Sequence, residues 1–311
     1  MLLVLTRRLA NVIPTLVAVV ALVFLLFSVL PGSFVSAMNE DGRTSIDPAV
    51  MERMRKEMGL DDPLPERFAK YVAHTLTGDL GVSFRTREPV TKLIGARVWP
   101  SLKLVFVAMA FAISVGVTLG FFAALRPGNI LDTVSMVFAI SGLSLSQFWF
   151  GLMLMYLFAL QLKWLPSFGY GDGGLTHVIL PAVALGVGPM ALLARTTRAA
   201  VLEILNADFV RTARSKGMSE RRVVEWHVLR NALVLVITIV GLQFGSLMGA
   251  AVVVEKLFAW PGVGSLLVDS VFQRDIPTVQ GCILLIVLFF LFINTLVDLA
   301  YVVIDPRIRH G

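Results

Sequence analysis

Apolar stretches of about twenty residues alternate with short polar segments along this chain, and six are long enough to cross a hydrocarbon core of ~30 Å at about 1.5 Å per residue. They cover residues 9–30, 101–125, 130–160, 178–194, 232–254 and 279–304. The pattern predicts an all-α polytopic membrane protein with six transmembrane helices. The third stretch is long enough to need tilt or a break near Gly142. The first follows Arg7 and Arg8 and precedes Val35-Ser36-Ala37, which loosely resembles a signal-peptide cleavage site. Its apolar length of about 22 residues exceeds the usual signal core of roughly 7–15, so it is read as a retained span.

The loops orient these spans. With the N-terminus inside, segments 1–8, 126–129, 195–231 and 305–311 carry thirteen Lys and Arg, whereas the short outer loops 161–177 and 255–278 carry only Lys163, Lys256 and Arg274. Basic residues accumulate on the cytoplasmic side, so both termini are expected there. Residues 1–30 then form an N-terminal transmembrane helix, 31–100 an extracytoplasmic loop, and 101–311 a five-helix core with a cytoplasmic loop at 195–231. The outer loop has amphipathic character. Asp47-Pro48 reads as a helix start and Gly59 as its stop, with Val50, Met51, Met54 and Met58 in an apolar stripe. This stripe packs on a surface or meets an adaptable ligand. A second face carries Phe68, Tyr71, Val72 and Leu76.

Composition agrees with this class and removes others. The chain is 57% hydrophobic and 15% charged, with a mean hydropathy of +0.81. A net charge of +6 records membrane topology here; the basic residues lack the interleaved aromatics and the fold that nucleic-acid binding needs. The single Cys282 lies in an apolar run, so no intrachain disulfide forms. His74, His177, His227 and His310 are scattered, which leaves no histidine metal site within the chain. No lysine follows a glycine anywhere, so the chain has no P-loop and cannot hydrolyse ATP by that route.

The inner loop 195–231 is far longer than a connector requires. Its core, RTARSKGMSERR at 211–222, reads as helix, turn, helix. Asn206 or Asp208 is placed to cap the first helix, Gly217 to end it in a left-handed conformation, and Ser219 to cap the next, with Glu220 at its positive end.

This segment resembles the "EAA" loop of ABC-importer permeases, in the variant of the dipeptide, oligopeptide and nickel branch. Arg211-Thr212-Ala213 stands at the first triplet, Gly217 at the glycine and His227-Val228-Leu229-Arg230 at the tail. Arg211 replaces the usual Glu, and Arg230 the final Pro. The stretches GLDDPL (59–64), GDLGVSFRTREPV (78–90), WPGVGSLLVDSVFQRDIPTVQG (260–281) and DPRIR (305–309) match the same branch in order. Ser146 stands where relatives commonly have the proline that kinks the third span.

The resemblance implies a type I ABC importer permease fold in a bacterial inner membrane. It implies a second homologous permease chain, in a heterodimeric permease, and two ATPase subunits that bind ATP and Mg, with no cofactor in this chain. An extracytoplasmic binding protein would deliver the solute. Di- or oligopeptides are the expected cargo, with nickel chelates, glutathione and sugar conjugates as alternatives. Arg211, Thr212, Ala213, Arg214, Gly217, Ser219 and Leu229 would form the ATPase-coupling loop.

Polar groups inside spans point to pathways. Asn294 and Asp298 share a face of the sixth span, as a pathway or structural pair, while Asp132 and Lys103 stand at span ends and read as interfacial. An ion-coupled secondary transporter would show paired midplane charges and an internal repeat, and a membrane enzyme a catalytic constellation; the sequence shows neither. The orientation has a direct check. In intact cells a Ser219→Cys variant should resist an impermeant thiol reagent added outside; labelling there would reverse the topology.

Overall fold

The computed structural model describes residues 2–29 and 62–304. Among them the elements are α1 (Leu2–Val29), α2 (Leu64–Leu76), α3 (Val90–Leu125), α4 (Ile130–Ser144) and α5 (Gln147–Leu154), which continues into a π-helical turn at Met155–Gln161. Then come α6 (Leu175–Leu205), α7 (Asp208–Ser215), α8 (Glu220–Arg222), a second π-helical stretch at Val223–Leu229, α9 (Arg230–Leu257), α10 (Val263–Phe272) and α11 (Ile276–Ile304). From Glu220 to Leu257 the chain is one continuous helix.

Among the described residues, four helices are long and apolar enough to cross a membrane: α3, α6, the Glu220–Leu257 helix, and α11 through Ile276–Val297. The other two expected spans fall on α1, whose apolar part Pro14–Ser28 is shorter, and on α4 with α5. Two compact units result. One gathers Trp99–Ser265 and the chain from Phe289 onward, the other Leu2–Val98 and Leu266–Leu288, each through its described residues.

The first unit is built around α6, whose most apolar stretch is 67% buried against 39% or less in the other three long helices. Glycines make that burial possible. A Cβ added at Gly116 or Gly120 of α3 would lie 2.5 Å from the Met190 carbonyl oxygen or 2.3 Å from that of Ala194. In the other direction, a Cβ on Gly186 of α6 would lie 2.7 Å from the Ala108 oxygen. The two backbones therefore touch along three turns. Close approach through small residues four apart is how helices associate where water supplies no driving force between them.

The third expected span is broken three residues beyond Gly142. That glycine is helical and lies where α4 crosses α6, a Cβ there lying 3.2 Å from that of Ala191. The break falls at Leu145 and Ser146, both extended at ψ 132° and 129°. The chain thus kinks without the proline. Just beyond, the Gln147 side-chain amide donates to the Leu185 carbonyl at 3.5 Å. Pro189 sits four residues after Leu185 and supplies no N–H, so α6 leaves that carbonyl without its helical donor.

In the second unit Phe24 of α1 lies 5.3 Å from Phe68 and 5.7 Å from Tyr71 of α2, ring centre to ring centre. The expected face of α2 is half-buried at Phe68, Tyr71 and Val72; Leu76, in its last position, is exposed. The Met stripe at Val50–Met58, with Asp47, Pro48 and Gly59, lies outside the described residues. Asp275 ties two of the sequence motifs together. Its buried carboxylate accepts from Ser83 Oγ (2.6 Å), Phe84 N (3.0 Å) and Thr278 Oγ1 (2.7 Å), joining the segment before α3 to the start of α11. In the segment before α3, the Gly81 amide and then the His74 ring hold the Asp79 carboxyl below the usual range.

The glycine contact is expected to be intolerant. Gly120→Leu should cost more than the ~1–3 kcal/mol typical of overpacking, because backbone would have to move. Gly249→Ala, with nothing within 4 Å, is the control. Monodisperse protein recovered from membranes should collapse for the first and hold for the second.

Candidate functional site

The polar loop between α6 and α9 forms an elbow with its own core. Val210 and Ala213 of α7, together with Val223 and Val228 of the π-helical stretch, pack on Ala200 and Val201 of α6, Ala124 of α3 and Ala232 of α9. All eight are buried, and Met218 closes over them from the turn. The spacing explains the π geometry. Val223 and Val228 are five apart, which puts them about 140° apart around an α-helix at 3.6 residues per turn. The wider π turn brings both onto one face.

Gly217 ends α7 at φ +80°, with its own N–H donating to the Arg214 carbonyl (2.9 Å) and that of Met218 to Ala213 (3.4 Å). This is the paired stop that leaves the last carbonyls satisfied and carries an apolar residue after the glycine. No atom lies within 4 Å of the position a Cβ would take, so glycine is required by backbone conformation alone.

The caps differ from expectation. Ala207 occupies the position before α7, and no side chain caps the helix. Asn206 ends α6 and donates to the Leu202 carbonyl at 2.9 Å, while Asp208 is already the first residue of α7. Asp208 still suits the positive helix end by charge. Ser219 does stand in the capping position before α8, without a side-chain hydrogen bond.

Of the residues expected in the loop, Arg211, Thr212, Arg214, Gly217 and Ser219 are exposed, Ala213 is buried and Leu229 half-buried. Arg214 is braced internally. Its Nε donates to Glu220 Oε1 at 2.7 Å and its Nη2 to Oε2 at 3.3 Å, spanning the Gly217 turn. Arg211 lies 3.9 Å from Asp208, and Arg221 pairs with Glu225 at 2.8 Å. Beside these charges Phe209 and Trp226 are exposed. The elbow thus presents a basic face with two aromatic side chains, on a base fixed to three long helices.

Asn294 of α11 packs against Gly245 of α9, where an added Cβ would lie 3.2 Å from its Oδ1. The side chain of Asp298 lies outside the described residues. Among the described residues, no three His, Cys, Asp or Glu come together as a metal site.

Two buried acids went unrecognised in the sequence. Asp132, read as interfacial, is buried and forms a two-pronged pair with Arg198 of α6, from Nε to Oδ1 (2.5 Å) and Nη2 to Oδ2 (2.8 Å). Glu255 of α9 is also buried. Its carboxylate accepts from Ser101 Oγ (2.5 Å) and Ser265 N (3.0 Å), and Ser101 Oγ accepts from Val263 N (2.8 Å). The only available signal for Glu255 was the pair Gly262 and Gly264. A Cβ on the first would lie 2.2 Å from the carboxylate, and on the second 3.0 Å from Oε2.

Two family descriptions cover nearly all of the chain. "Binding-protein-dependent transport system inner membrane component" matches residues 116–310, and the N-terminal region of the same component matches 1–105. The chain is 45% identical over 304 residues to a glutathione transport system permease protein GsiC of Pectobacterium atrosepticum, covering 98% of both. It is 43% identical to the GsiC of Escherichia coli K12 over the same length and share. Its fold is similar to chains of the inward-facing MetNI methionine ABC transporter, with a TM-score of 0.58 at 18% identity, over 69% of this chain and 97% of that one. An amino acid ABC transporter matches at a TM-score of 0.53, 19% identity, and 68% and 94% coverage.

These helices therefore define a permease subunit of an ABC importer, a transport component and not an enzyme. The chain belongs to the family of binding-protein-dependent transport system inner membrane components, multi-pass proteins that work with a binding protein and an ATPase.

Gly217→Val tests the elbow as a structure. It should cost roughly 1–2 kcal/mol through the left-handed backbone, and Gly217→Asn less. Amide exchange should quicken in 208–229 and stay unchanged in α3 and α6; protection equal to wild type would mean that the turn tolerates a side chain.

Proposed function

We propose that this permease imports glutathione or a related short peptide, with the elbow at 208–229 as the surface that receives the ATPase. The observation that carries the coupling role is the elbow's two-sidedness: exposed Arg211, Thr212, Ser219, Phe209 and Trp226 outside, and an apolar base shared with α3, α6 and α9 inside. A site that receives force needs a stiff connection to the helices it moves, since only differential contact in two states transmits work. Within the elbow Arg214 serves as an internal brace, and the exposed Arg211, held only by the long 3.9 Å pair with Asp208, meets a partner's charge.

In this reading the chain has six spans with both termini in the cytoplasm, supported by the basic inner loops. The break at Leu145–Ser146 divides the third span without ending it. Residues 1–30 form the first span, 31–100 lie outside facing the binding protein, and 101–311 form the core. A second homologous permease chain supplies the other half of the pathway, and two ATPases bind ATP and Mg. Asn294 serves the packing of α11 on α9 and does not touch solute, in keeping with its contact on Gly245.

The cargo follows from likeness over the full length: relatives at 43–45% identity across 98% of the chain bear the glutathione name. Inside-out geometry is avoided by using whole cells. Cells expressing the full system should accumulate radiolabelled glutathione against its gradient, and unlabelled glutathione should compete. Import of a dipeptide or nickel chelate without glutathione uptake would reassign the solute.

A further inference from the structure

The ion pair between Asp132 and Arg198 has no part in the coupling loop as described, yet it joins two helices near the root of that loop. Arg198 lies on α6 less than a turn before Ala200 and Val201, which form the elbow's base. Asp132 lies in the first turn of α4. Its Oδ2 also accepts the Gly128 amide at 2.9 Å, so one carboxylate holds the α3–α4 turn, the start of α4 and the inner end of α6.

Farther along, Ala139 and Gly142 of α4 meet Val187, Ala191 and Ala194 of α6. Small side chains there allow a close approach but interlock weakly along the axis. A two-pronged guanidinium–carboxylate pair fixes that axis, since both hydrogen bonds require a fixed distance and a common plane. A buried carboxylate that loses its cation is also left uncompensated, so the pair resists separation strongly.

We propose that Asp132 and Arg198 are positioning residues for transport: they lock the axial register of α4 to α6, so that α4 and the α3–α4 turn move with the elbow as one body when ATP binds. The inference rests on the reading of 208–229 as the ATPase contact.

The test uses the full complex of permease, ATPases and binding protein, in a Cys282→Ser background. Spin labels at Val134→Cys on α4 and Arg195→Cys on α6 report their separation without ATP and with ATP trapped by vanadate. In the otherwise native complex the distance should be the same in both states. In Asp132→Asn it should match the native value without ATP, then shift or broaden on trapping, and the stimulation of ATP hydrolysis by liganded binding protein should fall several-fold at equal assembly. A purely structural role would lower the amount of complex and leave the distance and the stimulation per complex unchanged; that result overturns the proposal. If Asp132→Asn fails to assemble, Arg198→Lys decides on the same two readouts, since it keeps the charge and gives up the fork. Gly217→Val in the same preparation separates the premise from the inference: retained stimulation there counts against the elbow reading, whatever the ion pair does.

Discussion

The contact on which the rest depends is the one between two backbones, α3 and α6, brought together at Gly116, Gly120 and Gly186. Because α6 is buried on that side by carbonyl and glycine, its other faces are left for α4, α5 and α9. It also carries two prolines, and it tolerates them because it is surrounded. The carbonyl freed by Pro189 meets the Gln147 amide from α5, a partner available only because the preceding helix breaks and returns. In a membrane interior an unsatisfied carbonyl costs several kcal/mol, so this arrangement is a condition for the helix to exist there. Tight packing at the centre thus determines what the elbow can be attached to.

The starts of α10 and α11 obey a related constraint, met with carboxylates. Helix starts leave amides without partners. Glu255 reaches Ser265 in the first turn of α10, and Asp275 stands immediately before α11 with Ser83, Phe84 and Thr278 around it. Within its own unit, each acid binds a segment distant in sequence, Ser101 in one case and Ser83 in the other. These two serines are buried for that reason. A charged group at a helix start gains from the aligned dipole as well as from the hydrogen bonds.

How much of this could be read from the chain depends on the range of the forces involved. Helices, their apolar character and the left-handed Gly217 follow from neighbours within a turn or two, and the sequence reading reached them. The break expected near Gly142 falls three residues on, at Leu145 and Ser146, and Gly142 itself lies in a crossing that no local pattern reveals. Residue type points to Asn206 or Asp208 as the cap of α7, but α6 runs on to Leu205 and its end consumes Asn206. Asp132 with Arg198 was invisible as a pair: 66 residues separate them, and each alone looks like an ordinary charge at a span end. Family resemblance located the elbow, whereas its inward core had to be seen in three dimensions.

The π-helical stretch at Val223–Leu229 decides how the elbow faces α9. A π turn holds one residue more than the α-helix around it. In a plain α-helix each residue added or removed turns everything beyond it by about 100° around the axis. The wider turn absorbs its extra residue locally, so Val223 and Val228 share the buried side. With one residue fewer between them the two valines would stand four apart, on one face of a plain α-helix, and the elbow would keep its seat. The joint between elbow and span is thus a place where chain length can change by one residue without the packing beyond it being turned away.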